Sequence, residues 1–425
     1  MEDSGVFSEG LPIDYRTVMN GHDTDSRVEV LGRRTVDFVS PGELRRKLEA
    51  AEKEGRPLRV KFGADPSAPD IHLGHVVALN KLREFQELGH EVIFIIGDFT
   101  GMIGDPSGRT RTRPPLTREE VQRNARTYQE QVFRFLIPER TQVKFNSEWC
   151  DRLDFSDVIR LSSRVTVAQM LARDDFARRY AENQPISLVE FLYPLIQAYD
   201  SVMIRADVEI GGTDQLFNML LGRELQREMG QEPQVVMTLP LLEGTDGVQK
   251  MSKSLGNYIA VADSPREIFG KCMSISDELM WRYMELVLCR PPQEVEGLRR
   301  RASAGDLNPR DLKLEMAEEI VGRIHGKAAA REAREEFVRV FSRREVPEEV
   351  PEVTVRGDGD GVRIVDLVVG AGLAPSRNEA RRLVEQGAVR VEGRRITDVQ
   401  ERVPLPAGGV LLKVGKRRFA RVRPA

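Results

Sequence analysis

The chain has 425 residues, 40% hydrophobic and 31% charged, with a formal net charge of −3. That length supports two or three domains with buried cores, and the composition is that of an ordinary soluble protein. No apolar run is long enough to span a bilayer, and the polar, acidic first residues lack a signal-peptide pattern.

Cys150, Cys272 and Cys289 are scattered and lack zinc-ligand spacing, so reduced thiols in a cytoplasmic protein are expected. Charge is unevenly distributed. Arg363 to Ala425 holds 14 Lys/Arg against 6 Asp/Glu, a surplus of +8, which leaves −11 on the rest. A basic terminal module on an acidic body points to a polyanionic partner, against the plainer alternative of a soluble basic surface.

Residues Met1 to Val39 carry only weak periodicity. Ser40, Pro41 and Glu43 read as the N-cap, first and third positions of a helix running to about Glu54. Leu58 to Phe62 follows as an apolar strand. The stretch Asp65-Pro-Ser-Ala-Pro-Asp-Ile-His-Leu-Gly-His75 then leads into a helical pattern of Val76, Leu79, Leu82 and Phe85. His72 and His75 therefore sit at a helix N-terminus beyond a strand's carboxyl end, where open α/β sheets bind nucleotides. Gly74 between them has no Cβ to hold a flat ligand away from the backbone. Taken alone, the pair is equally a helix cap or a pair of metal ligands.

Glu91 to Ile96 reads as a buried parallel strand. Gly97-Asp-Phe-Thr-Gly-Met-Ile-Gly-Asp105 follows, offering close backbone approach and a carboxylate, with a spacing unlike the dinucleotide fingerprint. An arginine-rich loop (Arg109, Arg111, Arg113) is either a phosphate clamp or a solvated surface. A Thr117–Glu120 capping box then opens a helix to about Leu136.

Val143 to Phe145 is a further strand, with helical patterns at Phe155–Leu161 and Val167–Tyr180. This alternation predicts an α/β fold with a doubly wound parallel sheet. On a helix from Leu188 to Asp200, the polar Tyr193, Gln197 and Asp200 share one face and line a cavity or an exposed edge. Val208 to Ile210 is a strand that leads into Gly211-Gly212-Thr-Asp214-Gln215 and a helix ending near Gly230. Val235 to Leu242 is another buried strand. Beyond it, Lys250-Met-Ser-Lys253-Ser places two lysines on a glycine-bracketed loop, suited to following a polyphosphate as its charge redistributes.

From Ser264 to Arg344 the pattern is helical and charge-laced, and Val346 to Gly361 reads as an acidic, Pro- and Gly-rich linker. The basic module holds a helix at Ile364–Val369 and a second helix capped by Ser376 and ended by Gly387. A hairpin at Val389–Ile396 turns at Gly393. Arg377, Arg381 and Arg382 lie on the second helix; Arg390, Arg394 and Arg395 lie on the hairpin. The expected domains are 1–57 (extension and lead-in helix), 58–262 (Rossmann-like), 263–345 (α-helical), 346–361 (linker) and 362–425 (small α+β).

His72-Leu-Gly-His75 and Lys250-Met-Ser-Lys-Ser254, in this order, resemble the two signature motifs of class I aminoacyl-tRNA synthetases. Tyr193, Gln197 and Asp200, with Gly211-Gly-Thr-Asp-Gln215, resemble the amino-acid site of the bacterial tyrosyl-tRNA synthetases. The basic module is similar to their S4 RNA-binding domain. The resemblance implies ATP with Mg²⁺, L-tyrosine and tRNA(Tyr) as substrates and partners, and a homodimer. It assigns Asp200 to the substrate phenol and Tyr193, Gln197 and Asp105 to the α-ammonium. Gln215 falls near the carboxylate and Gly63 with the tyrosine. Asp214 belongs to the ribose, and Asp65, Gly74 and Gly212 to the nucleotide. His72, His75, Lys250 and Lys253 belong to catalysis at the triphosphate, with Arg109 and Arg113 as further phosphate cations. Arg377, Arg381, Arg382, Arg390, Arg394 and Arg395 would meet RNA. No protein cage for the metal is expected. The chain departs from the better-known bacterial branch at Lys61, where that branch has a tyrosine on the substrate hydroxyl; Lys61 is expected outside the pocket or paired with a carboxylate. A tryptophan enzyme of the same class, a non-catalytic RNA-binding protein and a nucleotidyltransferase acting on a small metabolite are the competing readings.

Overall fold

The structure is a computed structural model that describes residues 23–66, 70–106, 117–342, 350–356, 361–406, 408–415 and 418–425. The chain divides into two compact units, at Lys327 and Ala328.

The first unit is built on six strands: β1 (Phe38–Val39), β2 (Arg59–Ala64), β3 (Glu91–Ile96), β4 (Thr141–Phe145), β5 (Val208–Gly212) and β6 (Val235–Leu239), in the order β1-β6-β5-β2-β3-β4. Strands β2 to β6 are mutually parallel, and β1 runs antiparallel on the β6 edge. The chain steps outward from β2 through β3 to β4, then returns to lay β5 on the other side of β2. The β2/β5 boundary is thus the point where strand order reverses. Ligands of such sheets bind outside the carboxyl ends there. The sheet is covered on both faces, which is why β3, β5 and β6 read as nearly unbroken apolar runs.

Local chemistry sets the flanking helices: α1 (Thr24–Gly32), α2 (Pro41–Glu54), α3 (Leu73–Glu87), α4 (Arg118–Val132), α5 (Leu188–Ile204) and α6 (Leu216–Glu228). Ser40 accepts from the Glu43 N–H at the start of α2, and Gly55 ends it at φ 65°. Thr117 and Glu120 form the expected capping box of α4. The region without clear periodicity supplies α1 and β1. Lys81 on α3 holds α1 from outside, its buried ammonium donating to the carbonyls of Leu31 (3.0 Å) and Arg33 (2.7 Å). A helix end satisfied by a side chain 48 residues away leaves no local signature.

Two expected elements are shorter. The strand from Val235 stops at Leu239 because Pro240 has no N–H for the ladder. The Val167–Tyr180 pattern divides into helices Val167–Met170 and Asp174–Ala181, with Arg173 between them. After β6 come the helices Pro265–Ser274, Asp277–Leu286, Pro292–Ser303 and Pro309–His325.

The second unit contains a five-stranded sheet in the order β10-β9-β12-β13-β7, made of β7 (Glu352–Val355), β9 (Val389–Val391), β10 (Arg394–Ile396), β12 (Val410–Val414) and β13 (Arg418–Pro424). Helices α7 (Ile364–Gly370) and α8 (Arg377–Glu385) share its apolar core. The short β8 (Val362–Arg363) and β11 (Arg402–Val403) pair separately. One expectation needs correction: within the stretch read as a linker, 346–361, Glu352–Val355 is a strand paired in parallel with β13. Its alternating Val353 and Val355 pack on the core, a period too short to stand out beside the prolines. Among the described residues, no helix is long and apolar enough to cross a membrane.

Candidate active site

A cleft of about 1100 Å³ opens over the carboxyl ends of β2 and β5. It brings together Gly63, Asp65, His72, Gly74, His75, Asp105, Tyr193, Gln197, Asp200, Gly212, Asp214, Gln215 and Lys250 from segments far apart in sequence. Lys253 stands beside it. Arg109 and Arg113 lie outside the described residues.

At one end, α5 presents Tyr193, Gln197 and Asp200 on one face, as their spacing requires. Asp200 is 4% exposed. It accepts from the Trp149 indole N–H at 2.8 Å and from Asn146 Nδ2 at 3.4 Å. Burial pushes its carboxyl up to about 7, against the lowering pull of Lys61, Trp149 and Asn146. The Tyr193 hydroxyl donates to Asp65 Oδ2 at 2.9 Å, and Thr100 donates to Oδ1 at 2.7 Å. Asp65, expected with the nucleotide, is thereby tied to Tyr193, a residue expected at the amino acid. Burial, then the charge of Asp105, raises its carboxyl to about 7. Gln215 donates to Asp105 Oδ2 at 2.9 Å.

Lys61 is fully buried in the cleft wall and has a carboxylate partner. Its ammonium donates to Gln197 O (2.8 Å) and Ser201 Oγ (2.7 Å) and pairs with Glu209 Oε1 (2.9 Å). An ammonium has three N–H donors, so all are taken.

At the other end, His72 is the N-cap of α3. Its Nδ1 accepts from Gly74 N at 3.2 Å, while His75 Nδ1 accepts from His72 N at 3.3 Å. A Cβ on Gly74 would stand 2.9 Å from the His72 ring, so glycine here lets the imidazole fold back. The pair expected at a phosphate site thus forms the helix cap. Burial lowers both imidazoles, with the neighbouring lysines adding to the effect, and His75 falls to about 4. Both rings are neutral near pH 7 and offer N–H donors rather than charge.

The charge comes from the loop after β6. Lys250 pairs with Asp214 Oδ2 at 2.9 Å. Lys253 has a buried Nζ with no hydrogen-bond partner among the described residues, 5.6 Å from the Tyr128 ring centroid, and burial lowers it to about 8. A buried ammonium without an acceptor is a costly arrangement, and an anionic ligand relieves it. The two signatures are tied through the backbone: Leu73 N donates to Ile259 O at 3.1 Å, and Val261 N to Ile71 O at 2.8 Å. Asn257 holds the loop, accepting from Ser252 N at 2.8 Å and donating to Asp246 at 2.9 Å.

The family described as tRNA synthetases class I (W and Y) matches residues 53–342, and the S4 domain family matches 362–406. The tyrosine–tRNA ligase of Moorella thermoacetica is 55% identical over 93% of this chain and 95% of its own length. The chain belongs to the tyrosine–tRNA ligase family. The ligase of Thermotoga maritima is 54% identical over 94% of this chain and 97% of its own. A solved tyrosyl-tRNA synthetase complexed with L-tyrosine, from Archaeoglobus fulgidus, has a TM-score of 0.59 and 26% identity, covering 73% of this chain and all of that one.

Several residues that line or support this ligase-family cleft escaped sequence reasoning: Thr100, Trp149, Asn146, Glu209, Asn218, Arg173 and Asn257. Of these, only Thr100 lies in a stretch that the sequence singled out, Gly97 to Asp105.

In the S4 unit all six nominated arginines are exposed, but their environments differ. Arg377 pairs with Asp366 and Arg382 with Glu379. Arg394 pairs with Glu401, and Arg390 reaches Gly393 O at 3.4 Å. Arg395 turns back to the end of α8, donating to Gly387 O at 3.0 Å and Gln386 O at 3.3 Å. Lys/Arg donors at a helix C-terminus satisfy its free carbonyls.

Proposed function

We propose that the cleft activates L-tyrosine with ATP and that the enzyme then transfers the tyrosyl group to tRNA(Tyr). One observation carries this: a buried carboxylate, Asp200, lines the same cleft as His72, His75 and Lys250, and beside that cleft the Lys253 ammonium is buried with no hydrogen-bond partner among the described residues. The first suits a phenol O–H, and the second suits a phosphate.

Tyrosine enters with its hydroxyl donating to Asp200 and its ammonium among Tyr193, Gln197 and Asp105, with Gln215 near the carboxylate and Gly63 leaving room. The nucleotide takes the side of Asp65, Gly74 and Gly212, with its ribose on Asp214, in exchange for the Lys250 contact. The substrate carboxylate is ionised at neutral pH, so no general base is needed. Its oxygen attacks the α-phosphorus, the bond to the β-phosphate oxygen breaks, and pyrophosphate leaves. His72 and His75 donate N–H groups, and Lys250 and Lys253, with Arg109 and Arg113, offset the charge that accumulates on the leaving group. Mg²⁺ bound to the triphosphate would offset part of its charge. Among the described residues no cluster of three or more His, Cys, Asp or Glu is arranged to hold a metal. A terminal ribose hydroxyl of tRNA then displaces AMP from the adenylate.

Residues 58–262 serve the chemistry, 263–345 and 362–425 the tRNA, with Arg377, Arg381, Arg382, Arg390 and Arg394 on its phosphates and Arg395, also expected there, holding the end of α8. A cytoplasmic enzyme fits three buried free thiols. Exposed Phe155 (80%), Tyr180 (68%) and Leu188 (82%) supply an apolar face for a homodimer, which sedimentation at micromolar concentration reads directly. The test of function is charging of tRNA with labelled tyrosine. Charging with tryptophan in its place, or with neither, contradicts the reading.

A further inference from the structure

Two buried side chains behind the cleft wall, Arg173 and Asn218, organise three of the groups that face it. They are 5% and 1% exposed. Asn218 uses both sides of its amide: Nδ2 donates to Gln197 Oε1 at 2.9 Å and to Gln215 Oε1 at 3.1 Å, and Oδ1 accepts from Arg173 Nη1 at 3.1 Å. The glutamines then point their own N–H groups away, Gln215 to Asp105 at 2.9 Å and Gln197 to Glu209 at 3.3 Å. Arg173 closes the circuit, with Nη2 3.8 Å from Asp105 Oδ1. Its Nε pairs with Asp175 at 2.8 Å, and its guanidinium lies 5.0 Å from the Phe176 ring centroid.

The sense of every bond in this circuit follows from one end. A guanidinium only donates, so Asn218 must turn its oxygen to Arg173 and its amino group to the glutamines. Each glutamine must then turn its oxygen toward Asn218. The Gln197 carbonyl oxygen has a second lone pair, available to an incoming ammonium. A flipped Gln197 amide would aim N–H donors at that same ammonium and repel it, and a flipped Gln215 would turn its oxygen on the Asp105 carboxylate.

We propose that Arg173 and Asn218 are positioning residues that set the amide orientation of Gln197 and, through Gln215, the placement of Asp105, for the α-ammonium of the amino acid. This rests on the cleft being a tyrosine site. The plainer role for Arg173, neutralising Asp175, predicts no selectivity between parts of the substrate. The polarity relay does predict one.

The test uses the full chain in ATP–pyrophosphate exchange. Folded wild-type protein without tyrosine-dependent exchange would remove the tyrosine reading itself, before any variant is compared. With wild type active, Arg173→Met and Asn218→Asp each raise KM for tyrosine about tenfold or more, with KM for ATP within about twofold. Arg173→Lys keeps a donor and returns KM for tyrosine to within about threefold of wild type. The competitor 3-(4-hydroxyphenyl)propionate keeps the phenol and carboxylate and lacks the ammonium; its inhibition constant is the same for all four proteins. Asn218→Asp conserves volume and carries the test alone if Arg173→Met melts early. Unchanged KM for tyrosine in the variants, or parallel loss of tyrosine and the ammonium-free competitor, overturns the proposal.

Discussion

The indole N–H of Trp149 donates to Oδ1 of Asp200 at 2.8 Å, and this bond orients a buried carboxylate that lines the cleft. Trp149 sits just after β4 and Asp200 on α5, 51 residues apart. The pair keeps a buried acid accepting hydrogen bonds; under the proposed function it would meet the substrate phenol, where an apolar wall discriminates poorly between phenol and phenyl. Ligand discrimination by leaving a buried polar group unpaired is the principle, for which tyrosyl-tRNA synthetase is itself the standard worked example.

That arrangement costs stability. Burial raises the folded-state pKa of Asp200 to about 7, above its unfolded value, so the folded protein binds more protons than the unfolded chain between pH 4 and 7. The penalty is fully present above pH 7 and fades as pH falls toward 4. Asp200→Asn is therefore expected to raise the melting temperature by about 2–4 °C or more at pH 8. The gain should shrink toward pH 5, while tyrosine affinity is lost at both. Melting curves of both proteins at the two pH values check this; a pH-independent difference contradicts it.

Lys61 and Glu209 form a buried ion pair whose ammonium has no donor left for a phenol. Lys61→Met alone strands the Glu209 charge and is expected to cost about 3–5 kcal/mol. The double variant Lys61→Met/Glu209→Gln should recover most of that. Its KM for tyrosine at pH 8.5 should lie within about threefold of wild type, since no substrate contact is removed. Loss of the Lys61 charge nearby lifts Asp200 further, so the acid limb of tyrosine binding moves to higher pH. A large KM increase at pH 8.5 would mean that Lys61 contacts tyrosine.

Lys253, lowered to about 8 by burial, loses its proton as pH rises through that value in the free enzyme. The kcat/KM for ATP should accordingly fall on the alkaline side near pH 8. Lys253→Arg should extend the plateau, because a guanidinium stays charged. Lys253→Met should lower kcat by about 10²-fold or more, with a smaller effect on KM for ATP. A KM effect alone, or an alkaline limb that survives in Lys253→Arg, contradicts this role.

In the S4 unit the six arginines separate into two kinds. Arg381→Ala is expected to weaken tRNA binding and reduce its salt dependence without changing the unit's melting temperature. Arg395→Ala removes the donors at the end of α8 and should lower the melting temperature instead. Removing residues 350–425 should spare tyrosine activation and impair transfer to tRNA. Binding isotherms at two salt concentrations, beside melting curves, distinguish the two arginines; identical behaviour would refute the division.

What the sequence made legible was what is local or periodic. Strands β2, β3 and β5, the cap of α2, the capping box of α4 and the polar face of α5 each follow from a few adjacent residues. The cleft's supporting groups do not. Trp149 looks like a core residue until it meets Asp200, and Arg173 and Asn218 are 45 residues apart. Arg395 resembled its neighbours on the hairpin, and only the folded turn shows that it caps a helix. The β7 strand was hidden because its partner, β13, lies at the far end of the chain.

The central claim is that one cleft joins tyrosine to ATP. Amino-acid-dependent ATP–pyrophosphate exchange with the purified chain, run separately with tyrosine, phenylalanine and tryptophan, tests it most directly. Exchange with tyrosine alone is the predicted result. Exchange driven by tryptophan, or none from folded protein, would contradict it.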